Sequence, residues 1–411
     1  MPNALAIDGG EPAVTEPIPD WPVWDERERT ALEDVLASRQ WGVGGERTEA
    51  FAGEFASRHG AEYGVTVTSG TTALRVALDA AGVGPGDEVI VPPYTFVATA
   101  SAVLEVGAVP VFADIEPESL CLDPAAVADR LTDRTAAVNP VHLGGRPADL
   151  HGLQRVCADT DVVIVEDCAQ AHGTWLDGEA VGTIGDVGCF SFQTSKNLAA
   201  GEGGLLLTDD EELYTRAWSR MNVGRVPAGD WYEHPVLGSN FRMTEFQAAI
   251  LEVQLERMDE QLEHRTAAAA HLDAALADVP GITSVPDHPH TTQRGYHLYI
   301  IQYDPDELAG IDKRTFLDAV RAEGIPLSGG YRPLYREELF TEIETRAPAV
   351  TELATHVPDY NSVVCPVTEH AATVTAWMPQ SVLLGEDALL DQIVEGFAKV
   401  SAHAEALAAD E

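Results

Sequence analysis

The strongest constraint on the fold is an alternation of short apolar runs with helix-patterned segments across the first two-thirds of the chain. Apolar or β-branched runs lie at Val65–Thr68, Glu88–Pro92, Val109–Ala113, Thr135–Val141, Val162–Glu166, Val187–Phe192 and Gly204–Thr208. Helical patterns separate several of them, at Thr71–Ala81, Thr95–Val106, Pro124–Leu131 and Leu150–Asp159. Continuous apolar strands alternating with helices predict an α/β fold whose mostly parallel sheet is covered on both faces. The runs at Val187 and Gly204 follow each other too closely for a helical crossover, so the sheet is expected to be mixed there.

A long helical pattern follows from Thr244 to Ala277, and Thr244 with Gln247 has the spacing of a capping box. Beyond it the composition changes. A Pro/His-rich stretch leads to a predicted strand at Tyr296–Tyr303, a helix at Asp312–Glu323 and a Gly/Tyr/Arg loop, then a strand at Thr375–Met378 and a helix from Glu386. The expectation is two domains: residues 1–270, carrying the N-terminal segment and the large α/β unit, and residues 271–411, a smaller α+β unit.

Charge restricts the partners. Asp and Glu number 67 against 25 Lys and Arg, a formal net charge of −42 spread along the chain. Nucleic-acid binding needs clustered positive charge and is not expected. No apolar run approaches the roughly 20 residues that span a bilayer. The opening MPNALAIDGGEPAV lacks the basic and apolar regions of a secretory signal, which predicts a cytoplasmic protein. An acidic surface suits concentrated salt, where screening shrinks to ~3 Å at 1 M, so a halophilic host is expected. Cys121, Cys157, Cys168, Cys189 and Cys365 include no C-x-x-C pair and read as packed, reduced thiols with no metal site.

The chain has three lysines, Lys196, Lys313 and Lys399. Lys313 and Lys399 read as ordinary lysines on polar helices. Lys196 sits in CFSFQTSKNLAAGEGG, where a strand delivers a short turn and a Gly-rich segment follows. A partly buried ammonium loses hydration and its pKa falls, which suits Schiff-base chemistry; a solvated salt bridge is the plainer alternative. Asp167 directly follows the apolar run VVIVE, and acids at strand carboxyl ends face the ligand crevice of open α/β sheets, although such an Asp also caps turns. Gln170 and His172 could line the same crevice. Ser69, Gly70, Thr71 and Thr72 open a helix, where free backbone N–H groups suit a phosphate, though Ser/Thr caps are common. The glycines between Gly82 and Asp87 follow a helix and contain Pro85, so they read as a turn and not a dinucleotide fingerprint. His59, His264 and His271 read as polar helix faces.

In order, SGTTAL, PPYTF, VEDCAQAHG, FSFQTSKNLAAGEGG and GSNFRMTEFQAAILEVQL resemble the DegT/StrS-type aminotransferases, which have the aspartate aminotransferase-like fold. The likeness runs from LAIDGGEPAV to AWMPQSVLLG, and SGGYRPLYREELF and CPVTEH are most similar to the scyllo-inosose and aminohydroxybenzoate-type branch. It implies a PLP-dependent transferase fold, with a seven-stranded mixed sheet in the large domain, and pyridoxal 5'-phosphate as cofactor. Lys196 would form the covalent imine with the cofactor aldehyde and later shuttle the proton between Cα and C4′. Asp167 would pair with the pyridinium nitrogen, Phe96 would stack on the ring and Gln170 would lie near its hydroxyl. Thr71 and Thr72, with Gly70 and Ser191, would hold the phosphate.

Asn240 would reach the phosphate of the neighbouring subunit, with Arg242 supporting its loop, which implies a homodimer with shared active sites. His142, Tyr331, Arg332 and Tyr335 are candidates for the acceptor. The implied reaction is ping-pong transfer of an amino group from glutamate or glutamine to a keto-sugar, free or nucleotide-linked, or a keto-cyclitol. Dehydratase relatives replace the lysine by histidine, so Lys196 favours transamination. Gly144-Gly145 departs from the aromatic and single glycine of many sugar aminotransferases, which weakens inference about nucleotide-sugar contacts. The rival readings are a dehydrating or aromatising enzyme of the aminohydroxybenzoate synthase kind, a non-catalytic sensor or scaffold, and, more distantly, a nicotinamide dehydrogenase.

Overall fold

A computed structural model describes residues 4–354 and 356–409. Its large sheet is built from β1 (Tyr63–Val67), β2 (Glu88–Val91), β3 (Val109–Phe112), β4 (Thr135–Val138), β5 (Val163–Asp167) and, after the short strands β6 (Trp175–Leu176) and β7 (Glu179–Ala180), from β8 (Val187–Ser191) and β9 (Gly204–Thr208). The order is β1-β9-β8-β5-β4-β2-β3. The pairings from β8 through β5, β4 and β2 to β3 are parallel, and β9 runs against both its neighbours, β1 and β8. The mixed region thus falls where the short connection demanded it.

Side chains alternate across this sheet and feed two cores, as a pleat requires. Val89 and Val91 of β2 join one cluster with Leu74, Leu78 and Val103, while Ile90 joins Val138, Leu153 and Ile164 on the other face. In β9, Leu206 joins the first cluster, and Leu205 and Leu207 pack with Phe51, Phe55 and Phe190. Strands with both faces buried read as unbroken apolar runs, which is why they stand out in the sequence.

The second unit is an antiparallel sheet of β10 (Ile282–Ser284), β12 (Leu298–Tyr303) and β13 (Thr375–Pro379); between them in the chain, β11 (Thr291–Gln293) pairs with β6 of the first unit. Its core also takes Leu5 and Val14, and the Glu323 carboxylate accepts the amides of Ala6 at 2.8 Å and Ala13 at 2.9 Å. By packing, the N-terminal segment therefore sits with the second unit. The expected division at residue 270 falls inside the helix Met258–Leu276, whose start packs in the first unit and whose Ala268–Leu276 end packs in the second.

The helix expected from Thr244 to Ala277 is two helices, Glu245–Glu256 and Met258–Leu276. Gln247 accepts the Thr244 amide at 2.9 Å, as a capping box requires. The break is at Arg257, whose amide reaches back three residues to the Gln254 carbonyl at 3.2 Å while its guanidinium binds buried Glu28 at 3.0 Å and Asp25 at 2.7 Å. His59 is also corrected: it is buried and stacked on Phe55 at 4.3 Å, and burial lowers its pKa to about 4. His271 and His264 do lie on partly exposed faces, on Asp391 and the Gly385 carbonyl. The five thiols are buried and unpaired with one another. Among the described residues no helix is long and apolar enough to cross a membrane.

Candidate active site

The carboxyl edge of the large sheet gathers several of the candidate residues. Asp167 ends β5 opposite Cys189 of β8, and β8 ends two residues later at Ser191. The helix Gly70–Ala80 starts beside Ser191: a Cβ on Gly70 would lie 2.6 Å from the Ser191 Cβ. Gly204, which opens β9, is as tightly placed, since a Cβ there would lie 2.3 Å from the Ser69 carbonyl oxygen. Ser69 caps the helix by accepting the Thr72 amide at 3.1 Å, and the Thr72 hydroxyl meets those of Ser69 at 2.9 Å and Thr68 at 3.1 Å. The first amides of a helix, here those of Gly70 and Thr71, have no carbonyl partner within it and suit an anion. The glycines press a helix start, Ser191 and the β9 start into one cradle.

Lys196 stands on a turn just past Ser191, its amide bonded to the Gln193 carbonyl at 2.8 Å. Burial lowers its pKa to about 8, against the pull of the Asp167 charge. Asp167 is itself buried: its carboxylate accepts the Thr99 hydroxyl at 2.9 Å and the Ala169 amide at 3.1 Å. Burial pushes its pKa up, while those hydrogen bonds and Lys196 pull it back. A buried acid with an oxygen turned to a cationic ring N–H would lose that penalty.

Beneath it, Glu166 accepts the amides of Gly182 and Gly185, both at 2.6 Å, and of Ile184 at 3.0 Å. His142 joins the same carboxylate through Nε2 at 2.9 Å and accepts the Ala148 amide on Nδ1 at 3.1 Å, which places its proton on Nε2. His142, Glu166 and Cys168 bring potential metal ligands together, and the hydrogen bonds to Glu166 and His142 instead make them a brace under β5.

The candidates for the acceptor separate. His142 is fully buried with both nitrogens engaged, so it offers nothing to a substrate. Tyr335 is likewise buried, donating to Glu369 at 3.0 Å and accepting the Cys365 amide at 3.2 Å. These two expectations are corrected: packing, not exposure to the crevice, fixes both side chains. Arg332 is exposed and paired with Glu337 at 2.7 Å. Tyr331 contacts another candidate residue, Gln170. Its hydroxyl accepts Gln170 Nε2 at 3.2 Å, its ring packs edge-on against Trp377, and Gln170 Oε1 accepts the Gly144 amide at 2.8 Å.

Phe96 is 56% exposed although Tyr94 and Thr95 before it are buried, so an aromatic face stands open where the chain otherwise turns inward. Asn240 is exposed on a segment that bridges to Asn222, and Arg242 donates to Asn222 at 3.0 Å, so Arg242 does brace that loop. Sequence reasoning missed Thr99, Glu166 and His297. Thr99 lies one helical turn after Thr95, and Glu166 is a charge inside an apolar strand; both were readable signals. His297, next to Lys196, gave no local signal.

A model of the DegT/DnrJ/EryC1/StrS aminotransferase family matches residues 22–397. The chain is 41% identical, over 99% of its length and all of the relative's, to a putative L-glutamine:3-amino-2,3-dideoxy-scyllo-inosose aminotransferase of Streptoalloteichus tenebrarius. It is 39% identical to the L-glutamine:2-deoxy-scyllo-inosose aminotransferase of the same organism, over 98% of this chain and 99% of that one. Among solved structures it is similar to 3-amino-5-hydroxybenzoic acid synthase, with TM-score 0.85 and 33% identity over 95% of this chain and all of the other. DesV of S. venezuelae, in complex with a ketimine intermediate, gives TM-score 0.79 and 33% identity over 92% of this chain and 94% of that one.

Proposed function

Because the chain belongs to the DegT/DnrJ/EryC1/StrS aminotransferase family, we propose that it moves the amino group of L-glutamine onto a keto-cyclitol of the scyllo-inosose kind. It is a pyridoxal-phosphate-dependent aminotransferase with the aspartate aminotransferase-like fold. The observation that carries the reading is Lys196: an amine whose pKa burial lowers, in the field of Asp167, beside the cradle at Gly70 and Ser191.

These residues fit the cofactor. Gly70, Thr71, Thr72 and Ser191 would hold the phosphate, Phe96 would cover one ring face, and Gln170 would stand by the ring hydroxyl. Asp167 would keep the pyridine nitrogen protonated, with Thr99 fixing the carboxylate in place. When bound, the cofactor supplies the electron sink that makes a Cα–H bond acidic. Lys196, uncharged, would take that proton and return one on the other side of the transfer. Tyr331 and Arg332 lie on the loop that would meet the acceptor, and the Gln170–Tyr331 contact ties this loop to the ring site.

Glutamine and a cyclitol acceptor are supported by the names of relatives that match end to end. An enzyme of the aromatising kind shares the fold, but the more similar relatives carry aminotransferase names. We further read the protein as a cytoplasmic homodimer of a halophile, on its charge and on the exposed apolar arm described below. Incubation of the purified enzyme with L-glutamine and 2-deoxy-scyllo-inosose should release the keto acid of glutamine and an aminated cyclitol in equal amounts. Release of water with no aminated product would overturn the reading.

A further inference from the structure

The mechanism above uses Lys196 but leaves a buried cluster beside it unexplained. His297 Nε2 lies 3.5 Å from Lys196 Nζ, and its buried Nδ1 has no hydrogen-bond partner among the described residues. His172, also buried, lies in the same cluster and acts on His297. From the helix Met258–Leu276, Arg265 brings a buried guanidinium, bonded to Gln380 at 2.6 and 2.9 Å. Asp167 is the acid whose charge acts on Lys196.

The placement of His297 is specified by the backbone. Tyr296, just before it, has φ +49, a left-handed conformation unusual for an aromatic residue. Gly295 donates to Thr174 at 2.9 Å, and its carbonyl accepts the side-chain amide of Asn197, the neighbour of Lys196. A Cβ on Gly295 would lie 2.4 Å from the His172 carbonyl oxygen. The segment carrying His297 is therefore clamped to the turn carrying Lys196, across the boundary between the two units.

We propose that His297 is a positioning residue that holds the free Lys196 amine in its uncharged form by donating Nε2–H to the nitrogen lone pair. The proposal rests on Lys196 being the reactive amine. Burial first, and then the positive charge of Arg265, keep His297 neutral, with a single N–H. On Nδ1 that N–H would be a buried donor with no acceptor. On Nε2 it meets the amine and leaves Nδ1 as a bare acceptor, the less costly of the two orphans. An ammonium has no lone pair and accepts nothing, so the contact favours the neutral amine. Lys196 needs that form whenever it is not joined to the cofactor.

With three lysines in the chain, the titration of each is separable. Trace acetylation of the full-length protein freed of cofactor, across pH and read by peptide mass spectrometry, gives the midpoint of Lys196 with Lys399 as internal reference. His297→Phe should raise the Lys196 midpoint by about one unit, which is roughly tenfold less labelling below it. His297→Gln, which keeps an N–H donor, should recover part of the shift. Lys399 should not move. An unchanged or lowered Lys196 midpoint in folded His297→Phe, or a midpoint in His297→Gln raised as far as in His297→Phe, would overturn the role of His297. Wild-type protein treated with PLP and borohydride keeps the two readings apart. Attachment at Lys196 with an unmoved midpoint sinks the His297 proposal alone, and attachment only at Lys313 or Lys399 sinks both.

Discussion

Lys196 and Lys313 share one property: burial lowers the pKa of each to about 8. Burial alone therefore does not select the reactive amine. Lys313 gives its ammonium to the Ala372 carbonyl at 2.6 Å, and Lys399 is paired with Glu323 at 2.8 Å, so both have fixed structural partners. Lys313 is more buried than its sequence setting suggested. Lys196 faces Asp167 and a histidine instead, and among the described residues no carboxylate lies in ion-pair distance to hold its charge. A pH dependence follows. In the substrate-bound enzyme Lys196 is a free amine that must be uncharged, and its pKa lies below the ordinary lysine value. Turnover should rise as pH climbs toward about 8 and level off above it; a kcat–pH profile checks the sign, and a fall over that range contradicts it. Lys196→Arg, which stays charged at any such pH, should lose about 10²–10⁴-fold in kcat.

At the scale of elements, the site is made by glycines that let three chain segments touch. Gly70→Ala drives a methyl against the Ser191 side chain, so either the helix start or Ser191 must move. The strand cores are untouched by that change. Phosphate affinity should fall while the fold persists: PLP titration should show about a tenfold weaker Kd, with the far-UV circular dichroism unchanged. The same packing explains what was readable from sequence. The strands were visible because burial on both faces forces an apolar run, and the antiparallel β9 because its connection to β8 is too short for a crossover. Asp167, Lys196 and the helix start at Gly70 were visible because each sits at a strand end or on the turn that follows one. The break at Arg257 was hidden, since the partner that holds the Arg257 side chain there, Glu28, is distant in sequence. His142 and Tyr335 looked available because a loop residue's burial depends on what packs over it. His297 went unseen because Asn197, far earlier in the chain, and a left-handed backbone at Tyr296, which no sequence pattern announces, place it.

The molecule as a whole carries an exposed apolar arm. Trp231, Tyr232 and Leu237, 66%, 88% and 84% exposed, stand on the segment that ends at Asn240. A hollow of about 560 Å³ lies beside it, with Gly44, Thr66, Asn222, Trp231 and Arg242 in its lining. An apolar arm of this kind suits an interface between two copies, which would carry Asn240 to the partner's phosphate site. Mixing two crippled variants tests this directly. Lys196→Ala removes the amine, and Asn240→Asp sets a negative charge against the phosphate it is expected to reach. If Asn240 serves the partner, a heterodimer has one site with both lesions and one with neither. Unfolding and refolding a 1:1 mixture should make half the dimers heterodimers, restoring about a quarter of the wild-type sites. If Asn240 serves its own chain, the site that keeps Lys196 also keeps the new aspartate, and mixing restores nothing. The recovered fraction, measured as keto-acid release from glutamine against each variant refolded alone, decides between the two arrangements.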